Sequence, residues 1–177
     1  MAIIGLSGYA GSGKDTVAQM IQELQPDKNW QIKKFSGKLK EMASLLTGID
    51  VGYFEDQYFK QNRVILCGDK GYKARNFLQF LGTECVRDLL GEDVWVNALL
   101  KDYNGEKDNW IITDVRFSNE AEAVSLLGHV VKIVRGSAVN GHPSETALDN
   151  YTLDYCLNNM GDLEDLRTEV EYMLKHL

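Results

Sequence analysis

The segment from Ile3 to Leu24 limits what this chain can become more than any other. Ile3-Ile4-Gly5-Leu6 is a buried-strand pattern, and it runs into Gly8-Tyr9-Ala10-Gly11-Ser12-Gly13-Lys14. Val17, Met20, Ile21 and Leu24 then recur at helical spacing. Gly8, Gly11 and Gly13 can take backbone angles that other residues resist. Their amides and the following helix N-terminus can converge on an anion. Gly8 and Gly13-Lys14 meet the spacing G-x-x-x-x-G-K of a phosphate-binding loop, with Ala10 and Ser12 inside it. Lys14 would place its charge on the β- and γ-phosphates of a nucleotide. One residue departs from the pattern: Asp15 stands where Ser or Thr is expected, and Thr16 follows one position late. The plain alternative is a tight turn with a solvated lysine; the strand before and the helix after favour the phosphate loop.

Beyond the loop, strand and helix patterns alternate, which points to an α/β fold on a parallel sheet. Strands are expected at 2–6, 30–35, 110–113, 130–134 and 152–157, which makes about five. Helices are expected at 14–24, 37–46 (capped by Ser36 and ended by Gly48), 73–90, 94–103 and 119–127, with a closing amphipathic helix through Leu163, Leu166, Val170, Met173 and Leu177. On the long helix, Phe77, Leu81, Cys85 and Leu89 read as one buried face. Residues 48–72 read as irregular and aromatic-rich, and 136–148 as a mobile polar loop.

The 177 residues suffice for one domain with a sizeable core. A net charge of −7 argues against broad nucleic-acid binding, which needs a basic face. No apolar run can span a bilayer, and the N-terminus shows no signal peptide. Cys67, Cys85 and Cys156 lack metal-site spacing and are odd in number, so a disulfide framework is not expected. A reducing, cytoplasmic setting follows as the expectation, with neither membrane nor nucleic acid as partner.

Asp114 ends the strand Trp110-Ile111-Ile112-Thr113. Ligands of open α/β sheets bind at the carboxyl ends of strands, so Asp114 and the glycine loop should share a crevice. An aspartate there can direct a metal ion; a turn or helix cap is the alternative. Arg116 can grip a phosphate bidentately, and Glu120 can orient it or accept from a sugar hydroxyl. Arg75, Gln79, Thr83 and Arg87 recur every four residues on the long helix, where a ligand-facing row and a solvated face are both open readings. Gln79 offers donor and acceptor to a base edge. Gly82 in mid-helix costs roughly 1 kcal/mol against alanine, which a close approach would explain. Trp95, Tyr53 and Phe54 are candidates for stacking, against a core role. Arg135 and His142, Ser144 and Glu145 lie on or beside the polar loop, which could close over phosphates.

These residues resemble a known family. Gly8 to Thr16 is similar to the loop of bacteriophage-type deoxynucleoside monophosphate kinases, Phe77 to Glu84 with Arg87 to their central helix, and Thr113-Asp114-Val115-Arg116-Phe117-Ser118-Asn119-Glu120 to their most distinctive segment. The segments 142–146 and 154–166 also fit, so the likeness runs nearly end to end apart from 48–72. It implies the three-layer fold of P-loop kinases, in a single 1–177 domain with a monophosphate-binding insertion at about 36–103 and a lid at about 136–148. It also implies ATP as donor, Mg²⁺, a deoxynucleoside monophosphate acceptor and a homodimer. By the match, Asp15, Thr16, Asp114, Arg116 and Glu120 inherit active-site roles, and Arg87 and Gln79 substrate-side ones; together with the reading of the other residues above, ATP contacts are expected from Gly8, Ala10, Gly11, Ser12, Gly13, Lys14, Asp15, Thr16 and Arg135. Catalytic roles fall to Lys14, Asp15, Arg116 and Arg87, and metal-directing roles to Asp15, Thr16 and Asp114. Substrate-side roles fall to Lys38, Arg75, Gln79, Thr83, Arg87, Trp95, Arg116 and Glu120.

Two rivals stand beside this reading. One is a P-loop kinase of another acceptor: an alcohol of the dephospho-coenzyme A kind, with Asp15 as base, or a phosphomevalonate-like substrate. The other is a nucleotide-binding regulatory module, although no Asn-Lys-x-Asp guanine-reading segment is present.

Overall fold

The computed structural model describes residues 2–136 and 147–177. They form two compact units, Met1–Lys34 with Asp102–Leu177, and Phe35–Lys101.

The first unit is built on β1 (Ile3–Ser7), in which every residue is buried. Strands pair on both of its edges and helices cover both of its faces, so its sequence is apolar without alternation. The sheet runs β2 (Gln31–Lys33), β5 (Trp110–Ile112), β1, β6 (Gly128–Val134), β7 (Tyr155–Asn158), and every neighbouring pair is parallel. On one face, α1 (Lys14–Leu24) and the C-terminal α7 (Leu163–His176) close a core with Ile4, Leu6, Ile111, Ile133 and Leu157. On the other face lies α6 (Ser118–Ser125). There a β-carbon on Gly5 would come within 2.9 Å of side-chain carbons of Val115 and Val124. Helices on both faces of a five-stranded parallel sheet are the three layers expected from the sequence.

The second unit holds α2 (Ser36–Thr47), a 3-10 turn (Val51–Phe54), α3 (Gln57–Asn62), the hairpin β3 (Val64–Cys67) and β4 (Lys70–Lys73), α4 (Ala74–Phe80) and α5 (Val94–Leu100). Residues 48–72, read as irregular, are therefore ordered. Phe54 is fully buried and Phe59 stacks edge-on to it at 5.8 Å. The carboxylates of Asp50 and Asp56 cap the 3-10 turn and α3 by accepting from the Gly52 and Phe59 amides. Gly68, at φ 61°, makes the tight hairpin turn.

Two further expectations are corrected. Ser36 does not cap α2: Phe35 is already helical at φ −59°, so Ser36 lies within the first turn. The helix expected over 73–90 is α-helical only to Phe80. Leu81–Arg87 is a π-helical stretch, followed by one turn at Asp88–Leu90. The wider turn breaks the 3.6-residue repeat. Phe77 and Leu81 keep their buried face, whereas Leu89, expected beside them, is 77% exposed. Gly82 has its explanation in this unit, since a β-carbon there would fall 2.7 Å from Leu39 Cδ2. No helix among the described residues is long and apolar enough to cross a membrane.

Candidate active site

The sheet brings chain ends together at its carboxyl edge. Register pairs Gly5 with Ile112, which sets Asp114 level with Ser7, the last residue before the glycine loop. Gly8, Gly11 and Gly13 sit at φ 144°, 77° and 95°. Two of them are also required sterically. A β-carbon on Gly8 would lie 2.5 Å from the Ile133 carbonyl oxygen, and one on Gly13 would lie 2.5 Å from Asn159 Nδ2. Lys14 folds back across the loop, donating to Gly8 O at 2.6 Å, Tyr9 O at 2.8 Å and Ser12 Oγ at 3.4 Å. Its ammonium is thus held by the loop it is expected to serve. Ala10 and Gly11 are exposed at the loop tip, while Ser12 is fully buried.

Asp15 is exposed in the first turn of α1, and Lys34 Nζ lies 3.3 Å from its Oδ1. Lys34 directly follows β2, so a cation from one strand end neutralises the carboxylate that stands in place of the usual hydroxyl. Thr16 is half-buried one residue on. Asp114 is buried, and the neighbouring Thr113 Oγ1 is a buried oxygen without a hydrogen-bond partner. Carboxylate and hydroxyl oxygens of this kind suit Mg²⁺, which takes one or two carboxylates and completes its shell with phosphate and water. No cluster of three or more His, Cys, Asp or Glu fit for a metal exists among the described residues. The oxygens of Asp114 and Thr113 are a donor set of the kind an ion shared with a nucleotide's phosphates takes.

Glu120 is buried, and its Oε2 accepts from the backbone amides of Arg116 at 2.7 Å and Phe117 at 3.1 Å. Of the two readings of Glu120, orienting Arg116 is the one this contact supports. It acts on the backbone of Arg116, at the head of α6. The half-buried Arg116 lines a small cavity of about 50 Å³ together with Gly8, Tyr9, Arg135 and Asp149. The Tyr9 hydroxyl donates to Asp149 Oδ1 at 2.6 Å, and this bond holds the phenol above its ordinary pKa. His142, Ser144, Glu145 and most of the expected lid lie outside the described residues.

In the second unit, Arg87 is buried and donates to Glu92 O at 3.0 Å, with the Glu92 carboxylate 3.6 Å away. Lys38 pairs with Glu41 at 3.3 Å, and Arg75 donates to Gln57 Oε1 at 3.2 Å. Gln79 and Thr83 are half-buried. Trp95 packs in the core of this unit, and its indole N–H donates to Gly82 O at 2.9 Å.

Three residues of the loop surroundings were not legible in the sequence: Lys34, Asp149 and Asn159. Asn159, 2% exposed, donates from Nδ2 to Ser12 O at 2.7 Å. Its place after an apolar strand was the available signal, because the carboxyl edge of β7 is level with that of β6.

Comparison with known proteins agrees with this arrangement. The chain is 26% identical to the deoxynucleoside-5'-monophosphate kinase of Escherichia phage T5, over 95% of this chain and 94% of that protein. It is 29% identical to a putative deoxynucleotide monophosphate kinase of Acanthamoeba polyphaga mimivirus, over 96% and 94%. Its fold is similar to dephospho-CoA kinase from Campylobacter jejuni, with a TM-score of 0.53 at 12% identity over 98% of this chain and 96% of that one. The family model for deoxynucleotide monophosphate kinase matches residues 36–170. A match over that much of its length, together with a glycine loop, Asp114 and Arg116 at one sheet edge, makes the chain a member of the deoxynucleotide monophosphate kinase family.

Proposed function

We propose that this kinase transfers the γ-phosphoryl group of ATP to the 5′-phosphate of a deoxynucleoside monophosphate, giving ADP and the diphosphate. The observation that carries the proposal is the shared cavity of Gly8, Tyr9, Arg116 and Arg135, in which two arginines and phosphate-loop residues line one space. A nucleotide phosphate has a second pKa near 6 and is mostly dianionic at neutral pH. The acceptor is then already a nucleophile and needs no base. What the protein must do is hold two polyanions in line and offset their repulsion. In this reading Lys14 exchanges its loop carbonyls for donor phosphates, and Arg116 stabilises charge on the group in transfer. Asp114 and Thr16, with Asp15, would direct Mg²⁺; the ion would neutralise donor phosphate charge when bound. Arg135 would flank the nucleotide on the lid side. In the second unit, Lys38, Arg75, Gln79, Thr83, Trp95 and Arg87 are the acceptor-side candidates. Arg87 would have to trade Glu92 for a phosphate, so Arg116 carries more of the argument. A cytoplasmic setting rests on the number and spacing of the cysteines, and a homodimer on the resemblance alone.

The test is a coupled ADP-release assay with Mg-ATP and each deoxynucleoside monophosphate, with ribonucleotide, alcohol-acceptor and no-acceptor arms. Acceptor-dependent release with deoxynucleotides supports the proposal and defines the base range. Release only with an alcohol acceptor, or without any acceptor, overturns it.

A further inference from the structure

The loop amides must point inward if they are to bind phosphate; within the loop, Lys14 holds the Gly8 and Tyr9 carbonyls, and the Ser12 amide donates to Tyr9 O at 3.1 Å. Each peptide unit can rotate between orientations at small cost where glycine flanks it. The Ser12–Gly13 peptide lies one unit before the Gly13–Lys14 peptide, and Gly13 sits in the left-handed region at φ 95°. Its carbonyl is reached by a buried side chain from outside the loop.

We infer that Asn159 is that element: a positioning residue that sets the Ser12–Gly13 peptide for phosphate binding. The inference rests on the phosphate-loop reading given above. The Asn159 side chain is 2% exposed, comes from the far edge of the sheet, and donates from Nδ2 to Ser12 O at 2.7 Å. A trans peptide is planar, with its C=O and N–H on opposite sides, and no peptide bond among the described residues is cis. Pinning the Ser12 carbonyl toward Asn159 therefore directs the Gly13 N–H to the other side, away from the core. Asn159 is itself fixed, since its own amide donates to Val134 O at 2.9 Å. The same packing excludes a β-carbon at Gly13, which would meet Nδ2 at 2.5 Å. Asparagine suits the position because its side-chain amide nitrogen donates to that carbonyl without bringing a charge into a buried place. A carboxylate of the same shape would set two acceptors against each other.

The inference differs from a contact between Asn159 and the nucleoside, and the two can be separated by a ligand that has no nucleoside. Binding of ATP and of inorganic tripolyphosphate would be measured by calorimetry on the wild type, Asn159→Asp and Asn159→Ala, with circular dichroism to verify the fold. The expected result is parallel weakening of both ligands, about tenfold for Asn159→Ala and more for Asn159→Asp, while affinity for the monophosphate acceptor holds. Weakened ATP with unchanged tripolyphosphate would make Asn159 a nucleoside contact and overturn the inference. Unchanged binding of both ligands in either folded variant would overturn it as well, and would leave the phosphate-loop reading standing. Failure of the wild type to bind either ligand would remove the phosphate site itself, and the inference with it.

Discussion

Glu120 accepts the backbone N–H of Arg116 at 2.7 Å, so a buried carboxylate fixes where the arginine leaves the chain, beside the loop cavity that Arg116 lines. Glu120→Ala would deprive two amides of their acceptor. A loss of about 1–3 kcal/mol is expected from such orphaned donors, together with lower turnover because Arg116 shifts. Thermal unfolding and steady-state kinetics on the same preparation check this. Unchanged stability and turnover would remove Glu120 from the account.

Arg116→Lys keeps the charge and loses the planar fork. A fall in kcat of about a hundredfold or more is expected, the scale of losing a donor aimed at developing charge. The fold should be intact, because the contact to Glu120 is made by the backbone. Turnover near that of the wild type would show that Arg116 does not touch the group in transfer.

The Asp15–Lys34 pair predicts a coupling. Asp15 is largely exposed, so the pair contributes little to stability. Its effect should lie in binding: without Lys34, the Asp15 charge repels donor phosphates. Lys34→Gln should raise KM for ATP several-fold, and adding Asp15→Asn should recover part of that loss if neutralisation is what matters. Additive losses in the double variant would contradict this. Measurements at low salt give the largest effect, because salt screens exposed charges.

Gly128→Ala tests the sheet independently of the chemistry. A β-carbon there would collide with the Ile3 backbone, carbonyl oxygen included, and backbone in a central strand cannot yield as a side chain can. Overpacking of this kind costs about 1–3 kcal/mol, and each kcal/mol lowers Tm by about 2–4 °C in a domain of this size. A variant as stable as the wild type would contradict the β1–β6 register.

Legibility followed the range of the interactions involved. Helix α1 begins and ends where its apolar spacing and the following Pro26 predict, and Gly48 closes α2 at φ 69°. Such features are local, written in a few adjacent residues. The hairpin of 64–73 was equally local, with Gly68-Asp69 after the apolar run Val64–Cys67, but its second strand, Lys70-Gly71-Tyr72-Lys73, is polar and masked the signal. The π-helical stretch could not be read, because Leu89 still matched the ordinary helical repeat. Asn159 and Lys34 were hidden for another reason: each follows a strand, which is the one local signal, but meets its partner across the sheet, at a residue distant in sequence.

The most direct test of the central claim follows the phosphorus atom. ATP labelled at the γ-phosphate is incubated with Mg²⁺, this protein and each deoxynucleoside monophosphate, and the products are separated by chromatography. The account predicts that the label appears in a deoxynucleoside diphosphate and depends on the acceptor. Label released only as inorganic phosphate, or left in ATP with every monophosphate, would contradict it.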